Sequence, residues 1–284
     1  MFFLLMIGLT QILAEGGNVK GVNSFVDNRF SQSTVKSVIN KIKFTPNYTI
    51  VGSVDKKISG DVDLAVDWKD ALKFFKTDRA GFWDAVDKYL KTKPVDYEIM
   101  KGLGQFSVVA PMVDDSGKVQ KVVKDRQGTL GDGDAKIQID FMIGNSNWME
   151  KSFKPDESSK YKLVYKNVFL ADILSQISFD TDKPGVKKKF QVNWREGLQI
   201  VNFTTTKSGK RKKLKVKTVT GNLDKFYQFL FGKGASASKI KSFEEVYRLF
   251  KSSKFRFPKK RKAIVNQYKK TIKRMKLDLP REVR

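Results

Sequence analysis

The first clear periodicity begins at Ser31. Val35, Val38, Ile39 and Ile42 recur at helical spacing within Ser31–Lys43, and Ser31 or Ser33 can cap the segment. Pro46 ends it, and Tyr48–Val51 is a β-rich run that closes at Gly52-Ser53. Asp61 to Val66 alternates at first and then turns apolar, which predicts a second strand. Between Asp67 and Leu90, Trp68, Leu72, Phe75, Phe82, Val86, Tyr89 and Leu90 share one face, so the segment is one broken helix or two, with Asp78 able to cap a restart near Gly81. Strands are expected over 97–100, 106–113 and 137–143. Asp114-Asp115-Ser116-Gly117 has hairpin-turn chemistry leading into 119–123. Leu170, Ile173, Leu174 and Ile177 are in phase, which predicts a helix over 165–177.

The remainder has its own pattern. Residues 200–206 and 214–219 alternate around Lys207-Ser208-Gly209-Lys210, which reads as a basic β-hairpin. Three helices are expected after it. One runs from Asn222 to Gly232, one opens on the capping-box sequence Ser242-Phe243-Glu244-Glu245, and one follows Pro258 with Ile264, Val265, Tyr268, Ile272 and Met275 on one face. The expected class is α+β: a mixed β-sheet core flanked by helices, then a basic β-hairpin and a helical C-terminal domain. No internal repeat appears.

Charge changes this picture most. The chain of 284 residues carries a net +26, but residues 1–186 hold 26 basic and 24 acidic side chains while 187–284 hold 30 and 6. A near-neutral half is thus joined to one of net +24, far beyond the ~2–8 that suffices for solubility. The turn-forming stretch Asp182-Lys183-Pro184-Gly185 marks the change, and the expected division is 1–44 as an N-terminal helical segment, 45–182 as a catalytic domain and 183–284 as a basic domain. A polyanion is the natural partner of the basic half, nucleic acid ahead of an anionic membrane. Lys210, Arg211, Lys212 and Lys213 on the hairpin, and Lys259, Lys260, Arg261 and Lys262 before the last helix, are the candidate contacts. Met1–Ala14 is apolar but shorter than the roughly 20 residues a membrane span needs, so no span is expected. A buried helix or a start misassigned upstream of Met6 is the preferred reading, with a signal segment as the alternative.

The chain has no His and no Cys. Thiol nucleophiles, zinc fingers, disulfide frameworks, Ser-His dyads and His-ligated metals are therefore excluded. Any metal must be a hard ion on carboxylates. Asp61 and Asp63, two apart on a strand, point to one face, about 6–7 Å apart at the backbone. Asp140 is an acid inside a second apolar strand. Three carboxylates brought to one point repel one another unless a cation, here Mg²⁺ or Mn²⁺, holds them. Two such ions would let one lower the pKa of an attacking hydroxyl while the other holds triphosphate oxygens. Gly52 and Ser53 follow a strand and can offer close backbone N–H groups and a hydroxyl to phosphates. Asp67 and Asp70 read as helix-capping residues and Asp132 and Asp134 as turn residues, outside the site.

The run Val51-Gly52-Ser53, then Gly60-Asp61-Val62-Asp63-Leu64-Ala65-Val66, then Ile139-Asp140-Phe141, resembles the signature of the DNA polymerase β-like nucleotidyltransferase superfamily over residues 45–180. Gly16-Gly17-Asn18-Val19 and Ser158–Lys162 are similar to phage-encoded members. Only seven residues separate Ser53 from Asp61, fewer than in many members. The resemblance implies a nucleotidyltransferase core in which Asp61, Asp63 and Asp140 bind metal, Gly52 and Ser53 bind nucleotide, and Lys160 and Lys162, with Lys166 and Asn167, lie where members hold triphosphate or base. A solvated helical face explains the last four equally well. It further implies transfer of a nucleoside monophosphate from a triphosphate such as ATP to a nucleic-acid 3′-hydroxyl, RNA with a tRNA-like end favoured over DNA, in the cytoplasm, the host's if phage-encoded. Nucleotidylation of a protein or small molecule, or an inactive nucleic-acid-binding protein of this fold, is the alternative.

Overall fold

The computed structural model describes residues 19–52, 57–122, 133–154, 156, 158–181, 184–206 and 208–284, with the backbone alone for Asp180 and Arg211. The chain divides into two compact units, one within Ala14–Glu150 and one within Lys151–Arg284.

The first unit begins with β1 (Val26–Asp27), then α1 (Ser31–Ile42), β2 (Tyr48–Val51), β3 (Ile58–Ser59) and β4 (Val62–Asp67). The helix ends where Lys43 takes the left-handed conformation, three residues before Pro46. Next come α2 (Trp68–Phe75) and α3 (Phe82–Leu90), so the long apolar face is two helices. Asp67 caps the first by accepting the Lys69 N–H, and Asp78 accepts the N–H of Gly81 at the start of the second. β5 (Asp96–Met100), β6 (Gln105–Pro111) and β7 (Lys136–Gly144) complete a five-stranded sheet of order β2-β4-β7-β6-β5. It is mixed: β4 and β7 run parallel and the other neighbours antiparallel. The turn expected at 114–117 forms, Asp114 N–H bonding to Lys118 O, but Val113 and Val119 make only an isolated bridge. Residues 123–132 lie outside the described residues.

Strand alternation divides the sheet's two faces by chemistry. Val62, Leu64 and Val66 of β4, Phe106, Val108 and Ala110 of β6, and Ile137, Ile139, Phe141 and Ile143 of β7 all enter one core with α1, α2 and α3. Phe44 centres it, with rings of Phe74, Phe75, Phe106 and Phe141 within 5.6 Å; the fully buried rings of Phe44, Phe106 and Phe141 contribute about 1.5–3 kcal/mol each. The opposite face receives Asp63, Gln105, Ser107, Gln138 and Asp140. One face thus supplies stability and leaves the other for polar groups.

The chain continues through α4 (Ser146–Ser152) into the second unit, where α5 (Leu163–Ser175) is apolar nearly all round and buried along most of its length. β8 (Ser178–Asp180), β9 (Val186–Asn193), β10 (Gly197–Thr205) and β11 (Arg211–Thr220) form a four-stranded antiparallel sheet of order β11-β10-β9-β8. The basic hairpin is therefore half of a larger sheet. α6 (Leu223–Phe231) is capped by Asn222, α7 (Phe243–Lys251) carries the full capping box of Ser242 and Glu245, and α8 (Arg261–Arg274) follows Pro258. Phe169 of α5 meets Phe243, Phe250 and Tyr268 at 4.9–5.6 Å, so α5 is the spine of this unit. The division of packing at 150/151 thus precedes the change of charge at 182/183, because α5 is uncharged enough to read with the first half yet packs with the basic one. Lys166 and Asn167, for which a solvated face was an equal alternative, are buried in α5. Burial pushes the Lys166 amine down to about 8 against the opposing charges of Asp156 and Glu245. Among the described residues no helix is long and apolar enough to cross a membrane.

Candidate metal centre

Three adjacent strands build the centre. In the parallel register of β4 and β7, Asp63 lies directly opposite Asp140; across β6 and β7, Asp140 lies opposite Ser107. Asp61 just precedes β4, and the single Ser59 hydroxyl proton is shared between the Asp61 carbonyl at 2.9 Å and Asn28 Oδ1 at 3.0 Å. The short β1–β3 ribbon, with Val26 opposite Ser59, ties that loop to the N-terminal segment. One carboxylate oxygen each from Asp61, Asp63 and Asp140 lies within 4.8 Å of the others. Hence the three aspartates expected from sequence converge.

Asp140 is 3% exposed and is gripped from three sides. Its Oδ1 accepts from Ser107 Oγ at 2.5 Å and Gln138 Nε2 at 2.7 Å, and its Oδ2 accepts from Gln105 Nε2 at 3.1 Å. Gln138 is oriented in turn, its Oε1 accepting the Val19 N–H at 3.1 Å. Burial raises the Asp140 carboxyl above the usual carboxylate range, and these three donors pull it part of the way back. They are neutral, so they orient the carboxylate without cancelling its charge. Asp63 lies well above that range, first because burial penalises its charge and then because Asp61 and Asp140 repel it. An all-oxygen set with, among the described residues, no cationic side chain hydrogen-bonded to Asp140, in which burial and mutual repulsion raise Asp63, is the chemistry a hard divalent cation fits.

Gly52 closes the other side. Its φ of +81° follows β2, and a Cβ built there would stand 2.8 Å from Asp63 Oδ2. Gly52→Ala therefore forces either the backbone or Asp63 to move. The expected result is a loss of stability of about 1–2 kcal/mol from the left-handed backbone and weaker Mn²⁺ binding, measured by denaturation and by titration of free Mn²⁺; unchanged Mn²⁺ affinity would show that Gly52 does not shape the centre.

Ser53 lies outside the described residues. Lys160 and Lys162 are exposed in the Lys151–Arg284 unit; the Lys160 N–H and Ser159 Oγ both donate to Glu244 at 2.9 Å, which fixes their loop. Lys210, Lys212, Lys259, Lys260 and Lys262 are exposed, while partial desolvation lowers the Lys213 amine. The Arg211 side chain is not described. Arg261 is turned inward instead, donating to the carbonyls of Phe250, at 2.8 Å, and Ser252, so it closes the end of α7. The grip on Asp140 was not foreseen. Its signal was present as polar Gln105 and Ser107 alternating in one apolar strand and Gln138 two residues before Asp140 in another.

No family model matches the chain, and no curated protein matches it in sequence. Among solved structures, a ternary complex of polymerase beta from Leishmania infantum is similar over 65% of this chain, at 12% identity and a TM-score of 0.33. The match spans 60% of that protein's chain.

Proposed function

We propose that this protein is a metal-dependent nucleotidyltransferase that moves a nucleoside monophosphate from a nucleoside triphosphate to a nucleic-acid 3′-hydroxyl. The observation that carries the reading is the triad Asp61, Asp63 and Asp140, whose oxygens meet within 4.8 Å on the polar face of a mixed sheet. Bound there, Mg²⁺ or Mn²⁺ would supply Lewis-acid chemistry, lowering the pKa of the attacking hydroxyl and offsetting the charge of the triphosphate. In the transfer the 3′-oxygen bonds to the α-phosphorus, the bond from the α-phosphorus to the α,β-bridging oxygen breaks so that pyrophosphate leaves with that oxygen, and the hydroxyl proton passes to water.

The chain's own part is orientation. Ser107, Gln138 and Gln105 hold Asp140 in one rotamer, and the parallel pairing of β4 with β7 sets its distance from Asp63. Preorganisation of this kind matters because misplacement by about 1 Å costs on the order of 10²-fold in rate. Gly52, whose lack of a side chain permits close approach, and Ser53 are assigned to the triphosphate in this reading, with Lys160 and Lys162 as further phosphate contacts. The acceptor is assigned to the basic half, where 30 basic side chains face only 6 acidic ones over 187–284. Six to ten neutralised phosphates would cost about 10³–10⁵ in affinity between 50 and 200 mM salt. RNA is the favoured acceptor.

Purified protein incubated with Mg²⁺, each labelled nucleoside triphosphate in turn, and RNA or DNA primers is expected to lengthen a primer by at least one nucleotide, and chelation to stop it. Absence of transfer to every acceptor, or transfer that persists in excess chelator, would overturn the proposal.

A further inference from the structure

Most phenylalanines of the basic unit are interior, but four form a file that leads out of its core. Phe190 of β9 is 9% exposed and touches Phe229 of α6 at 4.5 Å; Phe229 touches Phe257, just before Pro258, at 5.6 Å; on the other side Phe190 touches Phe179 of β8 at 5.4 Å. Phe229 and Phe257 are half-buried and Phe179 is 40% exposed. A ring held on one flank by its neighbour and open on the other presents a rigid apolar surface to water, fixed before any ligand arrives.

The cations around this file are placed at its steps. Lys225 stands one turn before Phe229 on α6, and Lys233 follows the end of that helix just past Gly232, both exposed. Lys259 and Lys260 follow Phe257 by two and three residues and are exposed. Lys188 lies directly opposite Phe179 in the β8–β9 register and so shares its face. Among the described residues none of these five ammonium groups forms an ion pair with a carboxylate. An apolar surface rimmed by unpaired positive charge is complementary to a ligand that is flat and apolar in one part and anionic in another. Nucleotides in a strand are such a ligand. In a duplex the base faces are covered by stacking; only a single strand offers them, and stacking on aromatic side chains contributes about 1–3 kcal/mol per base.

We propose that Phe179, Phe229 and Phe257 form a stacking platform for the bases of single-stranded nucleic acid, whose phosphates lie against the flanking lysines. This rests on the reading of the basic half as the acceptor-binding half, and it narrows that reading to an unpaired strand and to contacts other than charge alone.

The test uses the full chain, without triphosphate and in chelator, so that binding is read apart from chemistry. Labelled twenty-nucleotide poly(U) and oligo(dT), a blunt duplex of the same length, and phosphatidylserine vesicles are the probes. Single strands are expected to bind at least tenfold more tightly than duplex. Phe179→Leu and Phe257→Leu, which keep apolar bulk but remove the ring, are each expected to weaken single-strand binding about 5- to 150-fold, the range that 1–3 kcal/mol of stacking implies, and to leave duplex binding unchanged. Phe179→Trp and Phe257→Trp are expected to bind as wild type, the added indole fluorescence being quenched by oligonucleotide. Leucine variants that bind single strands as wild type does would overturn the platform while leaving nucleic-acid binding intact; so would indoles that respond to vesicles and not to oligonucleotides. A wild-type protein that binds no nucleic acid would remove both the platform and the acceptor assignment.

Discussion

Asp63→Asn is expected to abolish nucleotidyl transfer and, in the same protein, to raise stability when no divalent cation is present. The two effects have one cause. Asp63 carries a carboxylate pushed well above its ordinary range by burial, by Asp61 and by Asp140. Two unit charges about 5 Å apart at an effective dielectric constant of about 20 repel by about 3 kcal/mol, so relieving the crowding is expected to stabilise the metal-free protein by about 2–3 kcal/mol. Added cation offsets this difference. A ligand that binds only the folded state stabilises it by about 2.7 kcal/mol at 100 times its dissociation constant, and the wild type gains this while the variant, with one carboxylate removed, gains little. Loss of a charge that acts on the reacting phosphate should lower the rate by about 10³-fold or more. Asp61→Ala and Asp140→Ala share that loss. Denaturant midpoints in chelator and in millimolar Mn²⁺, beside primer extension, check the prediction. A variant less stable than wild type in chelator, or one stabilised equally by Mn²⁺, would show that the triad is not a cation site.

The triad was legible because its aspartates stand in or beside runs that are otherwise mostly apolar. Asp61 and Asp63 flank Val62 before the apolar Leu64-Ala65-Val66, and Asp140 lies within Ile137–Ile143. Period two alone says that Gln138 and Asp140 share a face, and that Gln105 and Ser107 share one. It does not say that the faces are the same, because that depends on β6 pairing with β7 in a register set by residues about 35 positions apart. Helix ends were legible for the same local reason: Asn222, Ser242 and Pro258 act within a turn. β9 was not legible as a strand. Its lysines at 187–189 have low β-propensity and read as a charge run, yet they pair with residues 201–203 of β10, an apolar-rich strand that supplies the order. α5 was assigned by sequence to the first half because it carries little charge, whereas its packing partners, α7 and α8, are some eighty to a hundred residues later. Tertiary partners at that distance leave no trace in local periodicity.

Asp172, in α5, is where stability should depend most steeply on pH in the basic unit. Burial pushes its carboxyl up to about 7, with hydrogen bonds from Thr271 and Gln267 and the charge of Arg274 opposing. Thr271 Oγ1 donates to its Oδ1 at 3.2 Å, and Oδ2 has no hydrogen-bond partner among the described residues. In the unfolded chain an aspartate releases its proton near pH 3.9. Between about pH 4 and 7 the folded state therefore holds a proton that the unfolded state has lost, so raising the pH favours unfolding. The stabilisation is complete below the unfolded value and gone above the folded one. A shift of about three units corresponds to about 4 kcal/mol at most, less where the structure relaxes around the charge. Asp172→Asn keeps an acceptor for Thr271 and removes the titration. At pH 8 it is expected to be more stable than wild type by about 2–4 kcal/mol, and at pH 4 by little or nothing. Hydrogen exchange of α5 amides in the full chain, at both pH values, reads the difference locally and separates it from titration of Asp63 and Asp140 in the other unit. A stability difference between variant and wild type that does not change with pH would mean that Asp172 is ionised in the folded protein throughout that window.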